Sequence, residues 1–320
     1  MGSHKNKLLL PVDGSEQSFE AVRYASQVFS PKRVEVALFH VMTKIPDSFW
    51  DIEKSPTFRH KLAPVTAWAS QQEKVIQEFM ERSRQLFMDR GVPEEKVSVK
   101  IQERKEGVAR DIVREAQDGY DAVVVGRWGM SKLKDLVWGS IANKLVGHLV
   151  HVPLWVVGGI PHTDRLLVAI DNSAEAMRIV DYVGAMLEGT KRRIELFHVL
   201  RDFGFLLTGD EDDFTSGDEI AKSGDVEDDF ERAEEAMQEV FTEALGRLEK
   251  VGFSKDRVTT KIVTGVASRA RAIVEKAKAG GYGTIVVGRR GLSRVEEFFM
   301  GRVSNKVIQL AKEMAVWVVS

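Results

Sequence analysis

Residues 123–140 read "VVVGRWGMSKLKDLVWGS", and residues 285–302 read "IVVGRRGLSRVEEFFMGR". Each opens as a short apolar run, the pattern of a strand buried on both faces. Each then sets three glycines at one spacing: Gly126, Gly129 and Gly139 in the first, Gly288, Gly291 and Gly301 in the second. A buried strand that runs through spaced glycines into a helix is a βα unit, and its recurrence points to an α/β protein. The copies differ at the end, where Ser140 stands against Arg302.

The rest of the chain repeats with them. Asp13 in "LLLPVDGS" matches Asp171 in "LLVAIDNS", 158 residues later, and Val41 matches Val199 at the same distance. Gly107 and Gly265 are also 158 apart, whereas Gly126 to Gly288, Gly139 to Gly301 and Trp155 to Trp317 are 162 apart. One small insertion near "KAGGYG" accounts for the change of offset. The reading is a duplicated domain of roughly 155 residues, an ordinary domain size. The expected boundaries are 1–158 and 163–320, joined by "GGIPHTD" at 158–164. Two copies are too few for a solenoid.

Within each half, short apolar strands alternate with amphipathic segments. In the first half these are "KLLLPV", a helix over 15–29, "RVEVALFHV", a long helix over 66–90, "KVSVKIQE", a helix over 108–118, "AVVVG", a helix over 140–150 and "VPLWVV". This order predicts two tandem doubly wound α/β domains, each a five-stranded parallel sheet covered by helices on both faces. The segments 43–63 and 201–231 differ between the halves. The second carries "GDEDDF" and "GDVEDDF" but not the alternating acidic pattern of a calcium loop, so it reads as a solvated loop and no metal is expected.

Composition narrows the function. A formal net charge of −2 gives no basic field for nucleic acid. The chain has no cysteine, which excludes disulfides and thiolate metal sites and fits a reducing, cytoplasmic setting. No apolar run approaches the ~20 residues of a membrane helix, and "MGSHKNK" is too short and polar for a signal peptide.

The glycines suggest a ligand. In doubly wound sheets, ligands bind outside the carboxyl ends of the strands, where strand order reverses. A glycine ending such a strand lets a ligand approach the backbone. Gly139 and Ser140 fall where the next helix begins, and free N–H groups and the helix dipole there favour phosphate. Arg127, Lys132 and Lys134 are placed to offset its charge. The spacing is neither a Walker A loop nor the dinucleotide fingerprint. No catalytic set accompanies it. His40 and His198 end matching strands without an orienting partner, His148 and His151 lack a third ligand, and no nucleophile elbow occurs. Catalysis beyond a slow hydrolysis of a bound phosphate ligand is not expected. Trp128 and Trp138 can stack on a base or bury an apolar face. Asp13 can contact a ligand or organise its turn and cap the next helix.

The G-x2-G-x9-G-[ST] spacing, the Asp closing the first strand and the five βα repeats resemble the universal stress protein family, and the duplication resembles its tandem members. In the nucleotide-binding branch, the resemblance implies an ATP site, with or without Mg. Its residues here are Pro11, Val12, Asp13 and Val41, then Gly126, Arg127, Gly129, Gly139, Ser140 and Ile141. In the second half they are Ile170, Asp171 and Val199, then Gly288, Arg289, Gly291, Gly301, Arg302 and Val303. Arg302 departs from the pattern. It either pairs with a phosphate or fills the pocket against Glu296, Glu297 or Asp171, and the second reading makes half two the weaker site. Two functions stay open: a nucleotide-dependent sensor or scaffold in stress response, or an interaction protein with degenerate pockets that holds another small ligand. The resemblance also implies an intrachain pseudo-dimer, with strands 154–157 and 316–319 paired antiparallel and Trp155 and Trp317 near the seam. A homodimer and the protein clients are left open.

Overall fold

The computed structural model describes residues 5–43, 59–129, 139–159, 161, 164–201, 225–290 and 300–320. It divides into two compact units, Met1–Gly158 and Gly159–Ser320. The first unit runs β1 (Asn6–Pro11), α1 (Glu16–Val28), β2 (Val34–Met42), α2 (Arg59–Asp89), β3 (Val97–Glu103), α3 (Val108–Ala116), β4 (Ala122–Gly126), α4 (Ser140–His148) and β5 (Leu154–Val157). Its strands lie in the order β3-β2-β1-β4-β5, with every pairing parallel. The chain builds outward from β1 to β3 and then crosses back to β4. The order therefore reverses between β1 and β4, which opens a crevice at their carboxyl ends.

The second unit repeats the plan with β6 (Arg165–Ala169), α5 (Glu175–Leu187), β7 (Arg193–Arg201), α6 (Asp225–Lys250), β8 (Val258–Val266), α7 (Arg269–Ala279), β9 (Thr284–Gly288), α8 (Arg302–Leu310) and β10 (Ala315–Val319). Its strand order is β8-β7-β6-β9-β10, again parallel throughout. The expected α/β architecture is therefore present in both halves. The central strands are buried along their length, as their unbroken apolar sequences require. Trp155 stacks on Phe29 at 5.4 Å and meets Tyr24 edge-on, while Trp317 meets Tyr182 edge-on at 6.3 Å.

The register corrects one part of the sequence reading. Val36 pairs with Val97 in unit 1, and Ile194 with Val258 in unit 2. Val36 and Ile194 are 158 apart, but Val97 and Val258 are 161 apart. The 161 offset already holds for Phe87 and Leu248, both buried at the ends of α2 and α6. Three of the four extra residues therefore precede those helix ends, in or beside the variable segment, and only the fourth lies near Gly280. Gly107 and Gly265 are consequently not equivalent. Gly107 is the N-cap of α3, its true counterpart Ser268 is the N-cap of α7, and Gly265 lies within β8. The glycine identity hid a shift that pairing reveals.

The ends of the variable segments are also not loop. Residues 59–63 belong to α2, and 225–231 to α6. The acidic runs and the rest of both segments fall outside the described residues or side chains. At 31 residues, α2 is ~45 Å long and outruns any strand here. Met80, Ser83 and Phe87 are buried in its second half, whereas residues 70–75 are exposed. The helix thus overhangs the carboxyl end of the sheet.

A second duplicated feature lies near the amino ends of the strands. In unit 2, the Tyr282 hydroxyl donates to Glu195, Lys276 pairs with the same carboxylate at 2.7 Å, and Arg165 lies 4.4 Å over the tyrosine ring. In unit 1, Tyr120 donates to Glu115 at 3.1 Å, Lys100 pairs with Glu115 at 2.5 Å, and Lys7 lies 4.2 Å over the ring. The motif keeps its chemistry but exchanges its supports. The carboxylate comes from helix α3 in one half and strand β7 in the other.

Burial, and then the Glu195 carboxylate, push the Tyr282 hydroxyl up to about 12. The folded state therefore holds this proton more tightly than the unfolded chain, whose tyrosines titrate near ~10. Its contribution is full below that value and is lost as pH rises toward 12. Tyr282→Phe should cost about 1–3 kcal/mol in denaturant unfolding at neutral pH, because Glu195 loses a donor while staying buried. It should also flatten the decline in stability between pH 10 and 12. An unchanged decline would mean that Tyr282 is not its source.

Candidate functional site

The crevice of unit 1 begins at the end of β1. Val12 N–H still bonds to the Phe39 carbonyl at 2.9 Å, after which Asp13 turns the chain. Asp13 Oδ1 accepts from Ser15 N–H at 3.0 Å and from the Ser15 hydroxyl at 2.6 Å. Ser15 Oγ accepts in turn from Ser18 N–H at 3.1 Å, so Ser15 and not Asp13 caps α1. Asp13 is a turn residue whose carboxylate is fixed by its neighbour. Gly14, at φ +83°, supplies the left-handed conformation the turn needs.

The end of β4 meets this turn. A β-carbon on Gly126 would lie 2.7 Å from the Gln17 carbonyl oxygen and 3.2 Å from that of Trp128. The strand end is therefore glycine because α1 approaches it, and not only to admit a ligand. A β-carbon on Gly129 would lie 2.5 Å from Asp13 Oδ2, so the loop after β4 passes against that carboxylate. Gly139 N–H donates to the Arg127 carbonyl at 2.8 Å, which ties the two ends of the loop together. Gly139 then serves as the N-cap of α4 with no side chain capping the helix. Ser140 begins the helix and is exposed.

At the end of β2, His40 Nδ1 lies 2.7 Å from the Val12 carbonyl. A carbonyl only accepts, so Nδ1 carries a proton and donates it to this bond. His40 is thus a strut between β1 and β2, an orienting bond that the sequence did not reveal.

These pieces enclose one cavity of about 750 Å³. It is lined by Pro11, Val12, Asp13 and Val41 from the first two strands and the turn, and by Gly126, Arg127, Gly129, Gly139, Ser140 and Ile141 from the glycine-spaced region. The unit 1 positions that the family resemblance implies therefore all line this cavity. Trp128 lines it as well. Arg127 lines the cavity but is only 1 % exposed, so any charge it supplies there comes from a buried side chain. Lys132, Lys134 and Trp138 lie outside the described residues. The sequence reading missed the wall supplied by α2, including Gln72, Glu73, Val75 and Ile76. Ile76 approaches to 3.0 Å from where a Gly14 β-carbon would stand. Its helical spacing to Phe79 and Met80 was the available signal.

Unit 2 keeps the framework and changes the surfaces. Asp171 Oδ1 accepts from Ser173 N–H at 3.1 Å and also from its hydroxyl. His198 Nδ1 lies 2.7 Å from the Ile170 carbonyl, and burial pushes the ring's pKa below its ordinary value. Val199 is buried beside it in β7. Gly301 N–H bonds to the Arg289 carbonyl at 2.8 Å and caps α8, matching unit 1. Other positions differ. Ser304, where unit 1 has Ala142, donates to the Gly288 carbonyl at 2.6 Å. Asn172 replaces Gly14, Arg290 replaces Trp128, and Arg302 begins α8 with its side chain exposed. Arg289 is buried, and that burial, with Arg290 beside it, lowers its pKa. Val303 is half-buried after Arg302. Gly291, Glu296 and Glu297 lie outside the described residues.

Known proteins share this organisation. The model of the universal stress protein family matches residues 5–158 and again 162–320. A universal stress protein of Mycolicibacterium smegmatis is 26% identical over 314 residues, covering 95% of this chain and 94% of that protein. The universal stress protein YxiE of Bacillus subtilis is 29% identical over 150 residues, 46% of this chain and 93% of its own length. The crystal structure of a universal stress protein from Archaeoglobus fulgidus superposes with a TM-score of 0.62 at 21% identity, covering 100% of this chain and 99% of that one. With both halves matched and the doubly wound fold in each, the chain belongs to the universal stress protein family as a tandem member.

Proposed function

We propose that unit 1 binds ATP in the crevice between β1 and β4, and that the protein acts as a nucleotide-dependent sensor or scaffold. The observation that carries this reading is the convergence of Asp13, Val41 and the glycine-spaced positions Gly126 to Ser140 on one cavity at the strand switch. The volume suits a nucleotide-sized ligand, since small-molecule sites run from about 300 to 1,000 Å³. The first turn of α4 supplies N–H donors and the positive end of a helix dipole for phosphate. Ser140, exposed at that turn, adds a hydroxyl. Asp13 presents a carboxylate already oriented by Ser15, suited to accept from the sugar hydroxyls. Mg would accompany the triphosphate as its counter-ion, held by the phosphates and water.

Chemistry beyond binding has little support. His40 Nδ1 is committed to the Val12 carbonyl, and Asp13 Oδ1 to Ser15. Among the described residues, these two atoms are therefore engaged in holding the site's framework. Unit 2 is proposed as the weaker site, because Arg302 puts a cation at the positive end of α8 and Asn172 adds bulk in the turn. Titration of the full chain should then show a single tight ATP site.

Two substitutions separate the turn from the ligand. Asp13→Asn keeps an Oδ1 acceptor for Ser15 but replaces Oδ2 with a donor. It should weaken ATP by roughly ten-fold or more, as loss of a charge-assisted bond does, with little change in melting temperature. Unchanged affinity in calorimetry would remove Asp13 from the site. Gly126→Ala should instead destabilise the fold by about 1–3 kcal/mol, because the new methyl group meets the Gln17 carbonyl. A variant of wild-type stability would contradict the structural role given to that glycine.

A further inference from the structure

We propose that the crevice of unit 2 is a separate site for a compact polyphosphate anion that carries no nucleoside. Three positions that line the unit 1 cavity change in one direction between the halves. Val108, Trp128 and Ser140 line that cavity. Their counterparts in unit 2 are Arg269, Arg290 and Arg302. An apolar, an aromatic and a hydroxyl residue are each exchanged for arginine, while Arg127 is kept as Arg289. Loss of a nucleotide site gives no reason for three positions to converge on one side chain; recognition of a different, more anionic ligand does.

The three arginines come from separate elements that meet at the carboxyl ends of the strands. Arg269 is the first residue of α7 and Arg302 the first of α8, and these two helices pack against each other. Arg290 lies just beyond β9. A β-carbon on Gly301 would stand 3.7 Å from the Arg290 Cα, so the backbone leading into Arg302 runs beside Arg290. Arg269 faces the strand side. Burial lowers the pKa of His198, the Ile170 carbonyl and Asp171 oppose that shift, and Arg269 adds to it. Arg269 and Asp171 therefore both act on this ring of β7. Arg269 and Arg302 are exposed, and Arg290 is half-buried.

The charge balance of the crevice changes with them. Its carboxylates are Asp171 and, on α6, Glu231 and Glu234 at the positions of Ser70 and Glu73. Four arginines thus stand with three carboxylates, where the described lining of unit 1 has Arg127 with Asp13 and Glu73. Neither α7 nor α8 has an acid in its first turn. A cation at a helix start opposes the dipole, and an anion held between the two starts meets N–H groups and guanidinium groups together. Each added cation is arginine, whose planar fork gives paired bonds to phosphate that lysine cannot. The nucleoside is what the crevice gives up. Arg269 and Arg290 remove the apolar surface of Val108 and Trp128, and Asn172 puts a side chain where Gly14 has none.

The test compares two ligands with the same triphosphate, ATP and inorganic tripolyphosphate, on the isotope-labelled full chain. The amides of Arg290, Gly301 and Arg302 should respond to tripolyphosphate at concentrations roughly five-fold or more below those that ATP requires. Arg269→Gln and Arg302→Gln should each weaken tripolyphosphate at these amides by about five-fold or more, with melting temperature unchanged because both side chains are exposed. Arg302→Lys keeps the charge but not the fork and should recover only part of the loss. Unit 2 amides that respond to tripolyphosphate no sooner than to ATP would overturn the proposal. So would tripolyphosphate affinity that both glutamine variants leave unchanged. The unit 1 amides report on ATP separately, so failure of ATP to bind there would leave this inference standing.

Discussion

The site of unit 1 depends on a close approach of two backbones. The first turn of α1 lies so near the end of β4 that a β-carbon on Gly126 would stand 2.7 Å from the Gln17 carbonyl. Once that contact is made, the Asp13 turn and the loop after β4 are pressed together, and Gly129 must pass the Asp13 carboxylate. The Gly139–Arg127 backbone bond then closes the loop and fixes where α4 starts. The cavity is what remains between the turn, the loop and the helix. Unit 2 obeys the same constraint with other partners: a β-carbon on Gly288 would meet the Arg290 carbonyl at 2.8 Å and Ile179 at 2.9 Å.

This accounts for why the glycine spacing is shared by halves whose surfaces have diverged. Gly126 and Gly288 answer to the packing of α1 and α5 on the sheet, which both halves need to fold. The residues around them answer to whatever the crevice holds. Ser140 and Arg302, Gly14 and Asn172, and Ala142 and Ser304 are free to differ because none of them carries the close approach. The Ser304 bond to the Gly288 carbonyl further ties α8 to its strand, a link that Ala142 does not supply in unit 1. Duplication followed by loss of one ligand site would leave this pattern of a conserved scaffold with altered rims.

The fold was legible because its signals are local. Apolar runs such as "AVVVG" and "TIVVG" need two covered faces, and helical spacing alternates with them from end to end. The glycine positions of the site were legible for the same reason. The exact register was not, because it depends on where three residues were inserted, and the variable segments hide that; pairing of Val97 and Val258 resolves it. The α2 wall escaped notice because Gln72 and Glu73 look like an ordinary solvated helix face, and only the overhang turns them toward a cavity. The burial of Arg127 was not legible because its neighbours in sequence are loop residues. The roles of His40 and His198 rest on carbonyls 28 residues away, beyond the reach of pattern reading.

The most direct test of this account is a titration of the isotope-labelled full chain with ATP, followed through backbone amide resonances. If the first turn of α4 holds the phosphates, the amides of Gly129, Gly139, Ser140 and Ile141 should shift together and saturate with one affinity. Those of Gly301, Arg302 and Val303 should shift only at higher nucleotide concentration. Saturating shifts confined to unit 2, or none at the α4 turn, would contradict the assignment of the site.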